Sequence, residues 1–542
     1  MLRYEAADFA NTVFETQALS PTRGASLSYL YSPKRVEREL PNGATLVYKG
    51  ASQGAWTFRA TAAEAEKAEQ RVRTALTEND FGGADPTGAH AHLAYVTALV
   101  EGDDALALAS AESLCNVRKL QGEGFPLPSL SPDIDAFDAF DRARPADHRD
   151  RDGKRIRWKR KDASQATVDR GDFGSDQRQK FYESLAGRKP AYEFTDDFEA
   201  MVKSPPKVGG KPLPVSLHGK VAVFYADGNR LNKLRQAEMA AGMGKFKEFS
   251  ESLRMKQQEL LGHILDWLHE GARETPDAFL YNHPIEGDQY RFETLLWGGD
   301  ELLFVMPSWL GLDFAARFFA WTKGWMTPAG LDITFSAGLV FCDHKTPIRL
   351  SKAVADEMAS LCKTMQLETS TRDNQTKSLL QVEAFESLSL PEGSFKGFRE
   401  NLYPGGDRAD ERDRLLAVPG GHAGTLFAGV AALKRNGALP RSQIYKLLRL
   451  ATEEGFALAR ATERPKEKDG VAIPARSRLI DEYEKYRSRA GAGKAPEVSE
   501  LFLLQPERDI TTIIPSLALN LAVIAMLWDY AEPLAAVEGG EA

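Results

Sequence analysis

Apolar positions in the middle of the chain predict a buried strand. Residues 221–226 are uninterruptedly apolar, and Asp227, Gly228-Asn229 and a helical pattern follow them. A continuous apolar run of this length is typical of a strand that is buried on both faces. The pattern therefore predicts a central strand with Asp227 at its carboxyl end and a helix that starts near Asn229.

A second apolar pattern, further along the chain, predicts a β-hairpin. Two apolar runs, at 295–297 and 302–306, flank the tetrapeptide Gly-Gly-Asp-Glu at 298–301. We expect Gly298 and Gly299 to supply the positive φ values of a two-residue turn. Two adjacent carboxylates would then lie at the tip of this turn, where water and a ligand reach them.

The same kinds of pattern divide the chain into four regions. Region 1–140 alternates strand-like and helix-like segments, and region 213–376 contains the two patterns described above. Between them, 141–212 is dense in charges of both signs and punctuated by prolines, which favours a charged linker or a mobile insertion. Region 377–542 carries Gly-rich loops and helical patterns, which predict a helical domain.

The predicted elements of the first region are an α+β set. They comprise a strand-to-helix passage at 11–16, strands at 44–51, 54–58 and 92–100, and helices at 61–78 and 105–120. The third region is predicted to hold a long helical segment at 231–271, a helix at 313–322, a strand at 333–341 and a helix at 350–363. In the last region, helices are predicted at 425–434, 442–460, 477–488 and 511–531.

Composition limits the classes of protein that the chain can represent. A length of 542 residues predicts several domains, and 43% apolar residues suffice for packed cores. The net charge of −8 argues against a chain that binds nucleic acid over its whole surface. Three cysteines form no disulfide framework, the start at Met1–Glu5 is polar, and the apolar stretch 513–528 is too short to span a bilayer. We therefore expect a cytoplasmic protein without a membrane segment.

Paired carboxylates give the chain its candidate chemistry. Asp227, Asp300 and Glu301 would approach one another if the central strand and the hairpin are neighbours, and oxygen ligands suit Mg²⁺ or Mn²⁺. Two alternatives remain open at this point. The hairpin acids can simply solvate a surface turn, and Asp227 can act as a helix N-cap.

The order of these motifs resembles a known family. After the strand that ends in Asp-Gly-Asn and the Gly-Gly-Asp-Glu hairpin come Ser336-Ala337-Gly338, then His344 to Ile348, and a helix that ends near Lys363. Over residues 213–376 the chain resembles the palm domain of the large polymerase-like subunit of type III CRISPR complexes, a cyclic oligoadenylate synthase. It also resembles diguanylate cyclases, although their usual Asp-x-Asp-x-Phe-Lys start is absent.

The resemblance implies a fold and a role for each motif. The fold would be α+β, with two ferredoxin-like palm domains, the first of them degenerate, and a carboxy-terminal helical domain. ATP would be the substrate, and Asp227, Asp300 and Glu301 would hold two Mg²⁺ ions. The resemblance further implies that nucleotide is contacted by Gly228, Asn229 and Arg230, which cradle phosphates, by Gly298 and Gly299, by Ser336 near the base, and by Lys363 at the triphosphate.

Two departures from the family indicate a reduced member, or a relative outside standard CRISPR loci. No His-Asp dipeptide and no cysteine quartet occur, so the family's nuclease domain and zinc site are expected to be absent. Where the later copy has Gly-Gly-Asp-Glu, the first region has 49–54, which lacks carboxylates. The first palm would then provide the pocket for the acceptor nucleotide without metal; an unrelated α+β domain is the alternative.

The resemblance implies a function in prokaryotic antiviral defence. The chain would join ATP into cyclic or linear oligoadenylates, by attack of a 3′-hydroxyl on an α-phosphate. The alternatives are a non-catalytic nucleotide-binding scaffold and a diguanylate-cyclase-like enzyme. Expected partners are other CRISPR-type subunits, docked on the helical domain unless that domain is only an internal brace, and guide or target RNA. The basic run 154–161, which contains Trp158, would contact RNA or serve as a solvated linker.

Overall fold

A computed structural model of the chain provides the fold. It describes residues 1–16, 18–77, 93–122, 136–150, 152–208, 211–373, 377–386, 394–402, 417–436, 440–450, 453, 482, 485 and 524–531. The predicted Gly-rich loop at 404–406, most of the helix at 477–488 and most of the helix at 511–531 lie outside these residues.

The amino-terminal unit, which we call the first palm, has a ferredoxin-like order of elements. One antiparallel sheet has the strand order β2-β3-β1-β4; helices connect β1 to β2 and β3 to β4, and a hairpin connects β2 to β3. The elements are β1 (Leu2–Ala6), α1 (Phe9–Val13), α2 (Leu19–Glu39), β2 (Thr45–Lys49), β3 (Gln53–Thr57), α3 (Ala62–Thr77), β4 (Tyr95–Leu99) and α4 (Ala105–Leu120).

Local capping explains where two of these helices begin. Thr61 and Glu64 form a capping box before α3: the Thr61 backbone N–H donates to the Glu64 carboxylate at 2.8 Å, and the Glu64 N–H donates back to the Thr61 hydroxyl. Asp104 caps α4 by accepting from the Ala107 N–H at 2.9 Å. These signals lie in the sequence, which is why the prediction of both helices agrees with the structure.

The segment predicted as a linker or mobile insertion folds against the first palm. It contains β5 (Arg157–Trp158), β6 (Lys161–Asp162), α5 (Gln165–Asp176), α6 (Arg178–Ala186), β7 (Glu193–Phe194), α7 (Phe198–Val202), β8 (Lys207–Val208) and β9 (Lys211–Pro212). A linker would not be tightly packed, but this segment is. Helix α5 crosses α2 so closely that the glycines at the contact leave no room for a side chain. A Cβ at Gly174 would lie 2.1 Å from the Ser20 carbonyl oxygen.

The second palm is built on a six-stranded sheet with the order β13-β14-β10-β15-β16-β17. Its elements are β10 (Lys220–Gly228), α8 (Leu231–Ala240), α9 (Met243–Glu274), α10 (Pro276–Phe279), β11 (Leu280–His283), β12 (Gly287–Tyr290), β13 (Glu293–Gly298), β14 (Glu301–Pro307), α11 (Ser308–Trp321), β15 (Phe335–Asp343), α12 (Ile348–Asp373), β16 (Leu379–Ala384), α13 (Phe395–Leu402), β17 (Val418–Pro419) and α14 (Ala423–Asn436).

The apolar run at 221–226 forms the centre of this sheet, as predicted. Strand β10 pairs antiparallel with β14 on one side and β15 on the other, and its side chains from Val221 to Ala226 are buried. The predicted single helix at 231–271 is two helices, because Gly242, at a φ of 118°, separates α8 from α9. The sheet also continues past the predicted domain end at 376, since β16 pairs parallel with β15.

Helices dominate the described part of the carboxy-terminal region. Besides α14, residues 441–450 and 524–528 are helical. Tyr530 joins this region to the palm sheet: its ring stacks on Phe341 with centroids 4.2 Å apart, and Lys220 donates to its hydroxyl at 2.9 Å. The predicted α+β class, with two palms and a helical carboxy-terminal region, is confirmed. Within the described residues, no helix combines the length and apolarity needed to cross a bilayer.

Candidate functional site

Asp227 lies where the sequence predicts it, near the carboxyl end of the central strand. It pairs with Glu301 of β14 on one side and with Ser336 of β15 on the other. Residues that lie directly opposite each other in antiparallel strands project to the same face, with Cβ atoms about 5 Å apart. The strand pairing therefore brings the carboxylates of Asp227 and Glu301 to one face of the sheet.

The hairpin turn brings Asp300 to the same edge. Gly298 pairs with Glu301, so Gly299 and Asp300 form the two-residue turn. The Gly228 N–H donates to the Asp300 carbonyl at 3.1 Å, which ties the turn to the end of β10. The three acids that the sequence singles out are thus neighbours in the structure.

The two glycines of the hairpin have different roles, which corrects the prediction that both supply positive φ values. Only Gly299 has a positive φ, of 55°, as in a type II′ turn with glycine at its first central position. Gly298 is needed because the first palm approaches closely: a Cβ there would lie 2.8 Å from the Ala51 Cβ. The turn is held from another side by Gln257 of α9, whose side-chain amide donates to the Gly299 carbonyl.

Burial and mutual repulsion raise the pKa values of these carboxyl groups. Burial, helped by the nearby charge of Asp300, raises the pKa of Asp227 to about 6, although Lys363 works against the rise. Burial also raises the pKa of Asp300, and it raises the pKa of Glu301 to about 7 against the opposing effect of Lys352. The acids at the turn are half-buried, and the nearby lysines do not offset the effect of burial on their pKa values. Their access to a ligand stays a prediction.

Lys363 brings a positive charge to this cluster. Its ammonium group forms an ion pair with the Asp227 carboxylate, and its side chain is one-third exposed. Lys363 lies on α12, which packs against β10 and β15. The sequence places Lys363 near the triphosphate by resemblance; the structure places it beside a candidate metal ligand, and its contact with nucleotide stays a prediction.

The start of α8 offers backbone donors next to Asp227. Arg230 precedes α8 in the left-handed conformation, at a φ of 54°, and no side chain caps the helix. Uncapped N–H groups at a helix start suit a phosphate. The predicted phosphate cradle at Gly228, Asn229 and Arg230 thus lies in a suitable place, and its role stays a prediction.

Ser336 and Asn229 bond to each other inside the protein. The Ser336 hydroxyl is fully buried and donates to the Asn229 side-chain oxygen at 2.7 Å. The Asn229 amide in turn donates to the Thr334 hydroxyl at 2.9 Å. The proposed contact of Ser336 with a nucleotide base receives no support from this arrangement, because the hydroxyl is already engaged.

The donor set fits a magnesium ion that the substrate helps to coordinate. Among the described residues, no group of three or more His, Cys, Asp or Glu side chains is arranged to hold a metal by itself. Mg²⁺ in nucleotide sites usually takes one or two carboxylates, with phosphates and water completing its shell. Asp227 and Asp300 bring two carboxylate groups to one sheet edge, which matches that requirement.

The sequence interpretation missed two further charged residues of α12. Lys352 is buried, pairs with Asp356 at 2.7 Å, and lies over the Tyr225 ring at 5.0 Å from its centroid. It opposes the rise in the Glu301 pKa, whereas Asp356 contributes to it. The signal was available, since Lys352, Asp356 and Lys363 recur at helical spacing on one face of α12.

The basic run forms a hairpin whose tryptophan is largely engaged. The Trp158 indole N–H donates to Asp172 at 3.1 Å, and its ring meets Phe140 edge-on with centroids 5.2 Å apart. Lys159 and Arg160 form the tip at positive φ values and are exposed. Base stacking on Trp158 therefore receives no support, and a phosphate contact by the basic side chains stays a prediction.

Comparison with known proteins identifies the second palm. Residues 220–374 match the family model described as Cas10/Cmr2, second palm domain. No curated protein matches the chain. The match covers β10 through α12, which is the part of the chain that carries Asp227, Asp300 and Glu301.

Solved structures give more distant likenesses. The Csm1-Csm4 cassette in complex with cA4 is 12% identical, with a TM-score of 0.45, over 97% of this chain and 69% of that chain. The cassette in complex with one ATP is 13% identical, with a TM-score of 0.42, over 96% and 69%. The apo cassette is 14% identical, with a TM-score of 0.38, over 70% of this chain and 54% of that chain, so the chain spans little more than half of that relative. The palm match carries the assignment of this unit: residues 220–374 are similar to the second palm domain of Cas10/Cmr2 proteins.

Proposed function

We propose that the second palm is a nucleotidyltransferase that joins ATP into cyclic or linear oligoadenylates. The observation that carries this proposal is the meeting of Asp227, Asp300 and Glu301 at one sheet edge, with pKa values that burial raises despite the nearby lysines. Acids in this state suit a site that is completed by a ligand. The choice of ATP and of an oligoadenylate product comes from the family resemblance.

Asp227 and Asp300 would hold Mg²⁺ or Mn²⁺, with Glu301 beside them. Bound metal would lower the pKa of the attacking 3′-hydroxyl and neutralise the leaving pyrophosphate. The chain itself contributes position: the hydrogen bond from Gly228 to the Asp300 carbonyl holds the two acidic segments together. Preorganised carboxylates avoid reorganisation during the reaction.

The phosphates of the substrate would lie between α8 and α12. The uncapped start of α8 supplies backbone N–H groups, and Lys363 supplies a positive charge at the same end of the sheet. In this arrangement Lys363 exchanges its partner, from Asp227 in the free chain to a phosphate when metal and nucleotide bind.

The first palm would present the acceptor nucleotide. Its turn meets the catalytic hairpin directly, since Ala51 and Gly298 are in contact. An acceptor bound beside Ala51 would thus lie next to Asp300. By resemblance, the helical region would dock other subunits of a type III CRISPR complex, and guide or target RNA would control its activity in antiviral defence.

Incubation with labelled nucleotides tests the proposal. Each of the four ribonucleoside triphosphates is supplied with Mg²⁺ or Mn²⁺, with and without RNA, and the products are resolved by chromatography. We expect oligoadenylates from ATP. Products from GTP alone would instead assign the chain to the diguanylate-cyclase class.

A non-catalytic nucleotide-binding scaffold is the second candidate. The ion pair between Lys363 and Asp227 favours it, because that pair already gives one acid a cation. Calorimetry separates the two functions: a scaffold binds ATP without forming product under any of the conditions above, whereas the enzyme does both.

A further inference from the structure

The two palms match residue by residue at their hairpins. The strand orders β2-β3-β1-β4 and β13-β14-β10-β15 are equivalent. The register shift in β2 lies between Leu46 and Tyr48, and that in β13 lies between Thr294 and Leu296. Both shifts occur at the same distance before the turn, so positions of the first palm can be assigned to positions of the second.

Strand pairing assigns the counterpart of Asp227. Asp227 in β10 pairs with Glu301, the first residue after the turn. Glu5 in β1 pairs with Gln53, which is also the first residue after its turn. Glu5 therefore corresponds to Asp227 and Gln53 to Glu301; the segment 49–54 lacks carboxylates as expected, but β1 supplies an acid that the sequence analysis did not consider.

The turns assign the counterpart of Asp300. The residue after Asp227, Gly228, donates its N–H to the Asp300 carbonyl at 3.1 Å. The residue after Glu5, Ala6, donates its N–H to the Ser52 carbonyl at 2.8 Å. Ser52 therefore occupies the position of Asp300.

A lysine pairs with the strand-end acid in both palms. Lys363 of α12 contacts Asp227, and Lys119 of α4 contacts Glu5. Each helix follows the fourth strand of its unit, so the lysines occupy equivalent places. The first palm thus keeps two features of the candidate site, an acid and a lysine.

Arg3 is the main difference between the two sites. It precedes Glu5 by two residues on the same face, where the second palm has Tyr225. Its guanidinium donates to Glu5 at 2.5 Å and to the Gln53 side chain at 3.0 Å, and its side chain is 2% exposed. A buried planar cation therefore binds two of the three residues that correspond to the acidic cluster.

We propose that the first palm is a carboxylate site with a built-in cation, in which Arg3 takes the place at Glu5 that a divalent ion would take at Asp227. The inference rests on the proposed metal role of the second palm. A guanidinium fork matches carboxylate and amide oxygens in fixed geometry, so the site needs no metal. Three residues, Arg3, Ser52 and Gln53, separate the first palm from the acidic pattern of the second.

Charge balance supports the assignment. Burial alone would raise the pKa of Glu5, but Arg3 and Lys119 outweigh burial and lower it. Glu5 is thus neutralised within the protein by two cations, Arg3 and Lys119.

Mn²⁺ binding to the full chain, followed by electron paramagnetic resonance, tests the inference. The background variant is Asp227→Asn with Asp300→Asn, which removes the candidate site of the second palm. Adding Arg3→Tyr, Ser52→Asp and Gln53→Glu should create a new site that binds Mn²⁺ at least tenfold more tightly than the background. Ser52→Asp with Gln53→Glu, with Arg3 retained, is the matched control and should not bind.

Two outcomes would overturn the inference. One is a folded triple variant without a new site, and the other is a control with Arg3 that binds as tightly as the triple variant. Circular dichroism reports folding, and Arg3→Gln replaces Arg3→Tyr if the tyrosine does not fold. The proposed function is read separately: if the wild-type chain binds Mn²⁺ no better than the background, the metal site of the second palm fails, whatever the first palm does.

Discussion

The two ends of the β13–β14 hairpin carry acids with opposite surroundings. Glu293, at the start of β13, receives bonds from two buried arginines: Arg23 Nε donates at 2.8 Å and Arg178 Nη2 donates at 2.8 Å. Asp300 and Glu301, at the turn, have no such arginine pair among their described contacts. One end is completed by the protein, and the other is the proposed ligand site.

The pKa alone does not separate these two ends. Burial raises the pKa of Glu293 to about 7 against the effect of Arg178, and it raises the pKa of Glu301 to about 7 as well. The difference lies in the bonds. Arg23 comes from α2 of the first palm and Arg178 from α6, so Glu293 joins three parts of the chain. A buried acid with full partners is structural, and one without them is a candidate for function.

The largest expected effect comes from substitutions at the hairpin turn and at Asp227 beside it. Asp227→Ala or Asp300→Ala should lower nucleotide turnover by roughly 10³-fold or more, because each removes a proposed metal ligand. Turnover of labelled ATP measures the loss, and circular dichroism checks the fold. Asp266→Ala, on the exposed face of α9, is the control. Near wild-type turnover in Asp227→Ala would refute the palm mechanism.

Removing the Glu293 carboxylate, at the other end of the hairpin, should lower the stability of the fold. Glu293→Gln leaves Arg23 and Arg178 without their carboxylate, and losing one member of a buried ion pair typically costs about 3–5 kcal/mol. Urea unfolding measures the change. Glu286→Gln, an exposed acid of the neighbouring turn, should change stability by less than about 0.5 kcal/mol. Equal effects of the two variants would contradict the comparison.

The contact between the palms gives a third test. Gly298→Ala places a Cβ 2.8 Å from the Ala51 Cβ, and overpacking of this kind costs about 1–3 kcal/mol. Ala51→Gly should restore most of the loss in the double variant, because it removes the opposing atom. Thermal unfolding of the two single variants and the double variant measures this coupling, and additive effects would mean that the two residues do not meet.

The smallest effect depends on pH. The pKa of Glu301 is about 7 in the folded chain and ordinarily 4.5. Between these pH values the folded chain therefore keeps a proton on Glu301 that the unfolded chain has lost. The stability contribution of Glu301 therefore falls as pH rises through this window. Without metal, Glu301→Gln should raise the free energy of unfolding by on the order of 1 kcal/mol at pH 8 and leave it unchanged at pH 4.5. A gain of the same size at both pH values would contradict this account.

Continuous patterns made the second palm predictable from the sequence. The apolar run of β10 and the two runs around the turn set the register that brings Asp227 to Glu301. The limits of α4 agree with the prediction because Asp104 caps its start. Local signals of this kind need no knowledge of distant contacts.

Long-range contacts account for what the sequence did not predict. Strand β1 was missed because Arg3 and Glu5 interrupt its apolar positions. Their ion pairs with Glu112 and Lys119, which lie far away in the sequence, compensate for the burial of Arg3 and the partial burial of Glu5. Because β1 was not predicted, Glu5 was not recognised as the counterpart of Asp227. Likewise, the role of Gly298 depends on Ala51, which lies far away in the sequence.

The register shifts in β2 and β13 have a consequence for how copies of the chain meet. Both strands lie at the edges of their sheets, where unpaired backbone groups can recruit a strand from another molecule. A bulge twists an edge strand and interrupts the regular ladder that an incoming strand would need. The bulge that shapes each hairpin therefore also disfavours aggregation through the edge of each sheet.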